Sequence, residues 1–116
     1  MANTLKLLGQ VNPSTTAAIA GFTTSPVGAS KTYIVTEVVV CNKSASPMTY
    51  SIYHDVGGET WDATNKLFGE VPIPANSTDK LSVKWFFPTT DSIGVSNDSE
   101  SSSELVFTIY GVEQDV

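Results

Sequence analysis

One segment constrains the fold more than any other: the run from Thr32 to Asn42, Thr-Tyr-Ile-Val-Thr-Glu-Val-Val-Val-Cys-Asn. It is dense in β-branched and aromatic residues, which fit a pleated surface and lose side-chain freedom in a helix. Strict alternation places Ile34, Thr36, Val38 and Val40 on one face and Tyr33, Val35, Glu37, Val39 and Cys41 on the other. Both faces are largely apolar, which predicts a central strand covered on each side.

Further strand signals repeat along the chain, separated by turn residues. Thr4 to Val11 is an apolar run stopped by Asn12-Pro13-Ser14. Thr15 to Ala20 reads as one helical turn, and Gly21 to Pro26 as a short edge strand, because Pro26 cannot donate to a ladder. Met48 to His54 alternates and follows a five-residue loop, so it is expected to pair antiparallel with the Thr32–Asn42 strand. Lys66 to Ile73, Lys80 to Phe87, Asp91 to Ser96 and Leu105 to Val112 complete the set. In Lys80–Phe87 the residues Leu81, Val83 and Trp85 share a face; in the last strand Leu105, Phe107, Ile109 and Gly111 do.

About eight short strands at a spacing of roughly 10–14 residues, with no crossover helices, predict an all-β fold, an antiparallel β-sandwich. The Cys…Trp…Cys pattern of immunoglobulin domains is absent, so the expectation is jelly-roll-like. The whole chain, 1–116, reads as one β-sandwich domain, with residues 1–14 as a candidate N-terminal arm. That arm is apolar enough to add a strand to a neighbouring subunit.

Composition narrows the function. Charged residues are 16% of the chain against about 25% in an average soluble domain. The formal net charge is −6, with six lysines and no arginine. Such a chain lacks the cations that displace counterions from nucleic-acid phosphates or meet an anionic membrane, so neither partner is expected. The start, Met1 to Lys6, lacks a basic segment followed by a long apolar run, and no stretch approaches the ~20 apolar residues of a membrane span. A soluble protein made and kept in a cytoplasm is therefore expected.

Catalytic material is scarce. Cys41 is the single cysteine, so no intrachain disulfide forms, and its setting after Val38-Val39-Val40 predicts a buried apolar role. His54 is the single histidine, beside Asp55; no Gly-x-Ser-x-Gly elbow accompanies it, and it reads as a sheet-edge residue contacting a loop. Asp55, Glu59 and Asp62 lie in one Gly-containing loop, and Asp98, Glu100 and Glu104 in another. The first does not have calcium-loop spacing, and both read as solvated loops. No metal or cofactor is expected, and no enzyme activity.

Trp85-Phe86-Phe87 must split between two faces, so it is either all core or partly an interface anchor. Trp61 in the Gly57-Gly58 loop is a second anchor, and with the 55–62 carboxylates it allows a carbohydrate-binding reading. The candidate interface residues are Leu5, Leu7, Leu8, Trp61, Phe68 and Trp85.

The run Tyr33 to Ser44 ends in Val40-Cys41-Asn42 and is followed by the Thr-rich strand Thr49-Tyr50-Ser51-Ile52. Then come the turn Val71-Pro72-Ile73-Pro74-Ala75-Asn76 and the closing strand Leu105 to Glu113, with Gly111 and Glu113 near its end. This order resembles small β-sandwich virion proteins of tailed bacteriophages, over most of residues 20–114. The resemblance implies a capsid decoration (cement) protein on the phage head, often a homotrimer, contacting the major capsid protein in a virion assembled in the host bacterial cytoplasm. It implies no catalytic residues. A phage neck, tail or fibre component is the alternative within that class, a carbohydrate-binding module the alternative outside it, and a small hydrolase built on His54 a remote third.

Overall fold

Strands form where the β-branched runs lie, and they stop at Pro, Asn and Ser clusters. The computed structural model describes residues 3–12, 19–21, 31–56, 64, 66–88, 91–97 and 104–115, with the backbone alone at 3–6, 11, 19–21 and 115. Among the described residues there are eight strands: β1 (Asn3–Val11), β2 (Ile19–Gly21), β3 (Lys31–Asn42), β4 (Met48–Asp55), β5 (Lys66–Ile73), β6 (Thr78–Phe87), β7 (Ser92–Asn97) and β8 (Leu105–Asp115). Ile19 and Ala20 are extended in β2, not part of a helical turn; residues 13–18 and 22–30 lie outside the described residues.

The strands form two four-stranded sheets, with orders β1-β8-β3-β6 and β2-β7-β4-β5. Every pairing is antiparallel. Strand 1 pairs with 8, 2 with 7, 3 with 6 and 4 with 5, as in one long hairpin rolled over itself. The β3–β8 and β4–β7 ladders then close each sheet. This is an antiparallel β-sandwich with jelly-roll order.

Three sequence expectations change. First, β3 and β4 do not pair. They belong to different sheets, because the connection at 43–47 crosses the sandwich instead of turning within a sheet. Second, the expected N-terminal arm, 1–14, contains a strand, β1, that pairs within this chain. It is the edge strand of its own sheet, in register with β8 from Asn3↔Gln114 to Val11↔Phe107.

Third, the faces of β3 exchange halfway along. Tyr33 and Val35 are buried, and then Val38, Val40 and Asn42 are. Both ladders of β3 shift register between Val35 and Glu37; against β8, Thr36 is the extra residue. A one-residue bulge turns every later side chain to the opposite face, which unbroken alternation cannot anticipate. The strand is central, between β8 and β6, as expected.

The core lies between the sheets. Val35, Val38 and Val40 from β3 and Leu105, Phe107 and Ile109 from β8 meet Tyr50 and Ile52 from β4. Tyr50 and Phe107 join the layers edge to face, 5.7 Å apart at 79°. Each such side chain stabilises the fold by about 1.5–3 kcal/mol on burial. In β4 and β7 the other face is buried too: Ser51, Ser92 and Ser96 are fully covered, and the Tyr53 and Ser96 hydroxyls lie 3.4 Å apart.

β5 is the edge of the second sheet and is irregular. Its register against β4 shifts twice, between Tyr50 and Ile52 and between Ile52 and Tyr53. Glu70 has φ of 48°, in the left-handed region. Pro72 pairs with Thr49, tolerated because an edge strand needs no donor on its open side. Bulges and proline at an edge oppose unwanted strand addition.

Candidate functional site

His54 and Asp91 are tied into the framework. His54, near the end of β4, places Nε2 2.7 Å from Oδ2 of buried Asp91, the residue before β7. Its ring lies on Phe87, centroids 4.0 Å apart, at the end of β6. The backbone N–H of Asp91 donates to the Pro88 carbonyl at 3.0 Å. His54 thus joins three strand ends, and its partner is Asp91, not the neighbouring Asp55. Cys41 is half-buried instead of buried, because the bulge at Thr36 turns it outward. Among the described residues no group of three His, Cys, Asp or Glu is placed to hold a metal ion. Most of the two acidic loops lies outside the described residues.

The segments that carry the sequence resemblance meet each other. Buried Asn42 directs Nδ2 at three carbonyls, Ser46 at 2.9 Å, Pro74 at 3.1 Å and Ile73 at 3.3 Å, while its Oδ1 accepts from the Ser44 N–H at 2.9 Å. The Asn76 N–H donates to the Ser44 carbonyl at 3.0 Å, and the Asn42 N–H to Ser77 at 2.8 Å. The Cys-Asn-Lys-Ser step and the Pro-Ile-Pro-Ala-Asn turn therefore form one clamp where the chain changes sheets. Their role is architectural.

The aromatic run divides as alternation requires. Phe87 is fully buried, Trp85 is half-buried against the core, and Phe86 is exposed. Trp85 lies 5.7 Å from Phe68 of β5, so the two rings close the sandwich between its β5 and β6 edges. Leu8 is 1% exposed and belongs to the chain's own core. Leu7 points the other way and is 50% exposed. The backbone of Leu5 pairs with Val112. Trp61 lies outside the described residues.

What remains is a surface. On the outer face of the β1-β8-β3-β6 sheet, Leu7 stands opposite Tyr110, and Tyr110 opposite Glu37. In the adjoining row Val112 stands opposite Ile34, and Ile34 opposite Phe86. Residues directly opposite in a ladder share a face, so these form one apolar band. Phe86 is 57% and Tyr110 39% exposed. The band gives way to polar rows: Gln10 donates to the Thr108 hydroxyl at 2.9 Å, and Lys80 reaches Glu37 at 3.5 Å. Leu7, Phe86 and Tyr110 are three of the five exposed large hydrophobics among the described residues. Sequence reading found Leu7 but not Tyr110, because only the β8 register shows that they are neighbours.

No protein-family model matches the chain, and no curated protein matches it by sequence. Solved structures do resemble it. The coat protein of Tobacco streak virus, solved as a dimer, superimposes with a TM-score of 0.51 at 8% identity, over 98% of this chain and 85% of that one. A chain of the infectious bursal disease virus Gt strain does so with a TM-score of 0.50 at 8% identity, over 97% of this chain and 32% of that one. At such identity the likeness is one of fold. No helix among the described residues is long and apolar enough to cross a membrane.

Proposed function

We propose that this chain is a structural virion protein that acts through protein contacts, as a capsid decoration (cement) protein on a tailed-phage head. The observation that carries this reading is the outer face of the β1-β8-β3-β6 sheet, where Leu7, Tyr110, Ile34, Val112 and Phe86 form a continuous apolar band on a jelly-roll framework. Such a band fits a partner surface better than water. A coat protein of the same fold supports the reading that this scaffold suits shell contacts. The motif order from Tyr33 to Glu113 supports the phage placement.

On this reading the partners are the major capsid protein and further copies of the chain, as a homotrimer, and the location is the virion. On the same reading the role is structural and not catalytic, which the tie of His54 to strand ends and the Asn42 clamp support. Trp61, Leu5, Phe68 and Trp85 remain interface candidates beside Leu7, Phe86 and Tyr110.

The test is stoichiometry in purified particles. A copy number comparable to that of the major capsid protein supports decoration. A few copies per particle favour the neck or tail reading, and absence from particles removes the virion reading.

A further inference from the structure

One charge on the outer face of the β1-β8-β3-β6 sheet has no counter-charge among the described residues. The four strands carry four carboxylates. Asp79 accepts from the Tyr50 hydroxyl of the other sheet, Glu113 stands opposite buried Tyr33, and Asp115 ends β8 opposite Lys31. Glu37 is left on the outer face, and Lys80 meets it at 3.5 Å. Lys84 is exposed on that face too, because its neighbours Val83 and Trp85 pack against the core. It makes no ion pair or hydrogen bond among the described residues. Same-face residues two apart on a strand stand roughly 7 Å from each other, so this cation borders Phe86, the most exposed member of the apolar band. It does so on a chain of net charge −6.

A partner that covers Phe86 also takes water from Lys84. A charge that loses its water and gains no counter-ion opposes docking. From this we infer that the surface docked on the band, on the shell of the particle, is apolar and sets a carboxylate opposite Lys84. A second copy presenting the same face does not supply one, because the carboxylate on that face is already engaged by Lys80.

Phe86 and its apolar neighbours then supply the contact area, and Lys84 supplies the selection. An apolar surface without a carboxylate leaves the lysine unpaired, and a basic one repels it, so both are disfavoured against an acidic one. The inference rests on the virion reading and deepens it, by naming the chemistry of the surface that the band meets.

The experiment measures binding of the purified full chain to phage heads assembled without it, for wild type, Lys84→Glu, Lys43→Glu and Phe86→Asp. Lys43 is exposed just past the end of β3 that pairs with Thr78, towards the opposite end of β6 from Lys84. Its variant therefore has the net charge of Lys84→Glu with the change placed away from Phe86. All three side chains are exposed, and unchanged circular dichroism and melting verify folding. Phe86→Asp is expected to lose most of the binding. Lys84→Glu is expected to bind about tenfold more weakly than Lys43→Glu at low salt, as attraction becomes repulsion. The gap is expected to close near ~1 M salt, where the screening length is about 3 Å. Equal affinities of the two lysine variants, or tighter binding by Lys84→Glu, would overturn the inference, while binding of the wild type would leave the virion reading standing. Self-association of the free chain that Phe86→Asp abolishes would also overturn it, because a second copy would then be the occupant. A wild type that binds no heads removes the virion reading and this inference with it.

Discussion

The phenol of Tyr50, on β4, donates a hydrogen bond to Oδ2 of Asp79, on β6, at 3.0 Å, and so links the two sheets across the core. Burial pushes the Tyr50 hydroxyl well above its usual range, and the hydrogen bond and negative charge of Asp79 push it further. In the unfolded chain a tyrosine ionises near pH ~10. In the folded chain Tyr50 stays neutral beyond that, so the folded state holds more protons above that pH. Its contribution is complete below pH ~10 and is lost as the pH climbs above it, at up to about 1.4 kcal/mol per pH unit. Urea unfolding of wild type and Tyr50→Phe between neutral and strongly alkaline pH checks this. Tyr50→Phe costs about 1 kcal/mol at neutral pH and loses less stability than wild type on the alkaline limb.

Asn42 is expected to be sensitive to the chemistry of its replacement as well as its size. Asn42→Ala removes the bonds to Ser46, Ile73 and Pro74 and frees the Ser44 N–H, at about 2–4 kcal/mol. Asn42→Asp has nearly the same shape but turns an oxygen toward three carbonyls, and costs more than alanine. Denaturant midpoints order the three proteins as wild type, then alanine, then aspartate.

Gly111 faces β3 where Val35 is its register partner, beside the bulge. A Cβ there would collide with the Ile34 carbonyl oxygen and press on Leu8. Backbone cannot rotate away as a side-chain end can. Gly111→Ala is therefore expected to cost at least about 1–3 kcal/mol, the usual range for overpacking, and to lower the melting temperature.

Glu70 adopts a left-handed conformation that glycine takes without steric cost. Its backbone N–H donates to the Ser51 hydroxyl at 3.0 Å, a bond any residue retains. Glu70→Gly is expected to raise stability by about 0.5–1 kcal/mol in denaturant unfolding, the strain relieved exceeding the added unfolded-state entropy.

Much of the scaffold was legible in the sequence, because runs and breakers are local signals. Lys66–Ile73 matches β5 residue for residue, and six other strands start and stop within three residues of the reading. The alternation of Leu105, Phe107, Ile109 and Gly111 matches the buried face of β8. What local pattern could not carry was non-local. Nearness in sequence suggested a β3–β4 hairpin, yet in a jelly roll β3 finds its partners in β6 and β8, far along the chain. The bulge at Thr36 reversed the faces of the most obvious strand. Leu7 and Leu8 looked equivalent until the β1–β8 register sent one outward and the other into the core.

A density map of purified particles, at a resolution that shows individual sheets, tests the central proposal most directly. The expected map has the sandwich on the head shell in many copies, with Leu7, Tyr110 and Phe86 covered by a neighbouring chain. A particle that lacks the sandwich, or carries it with that face open to solvent in every copy, would contradict the proposal.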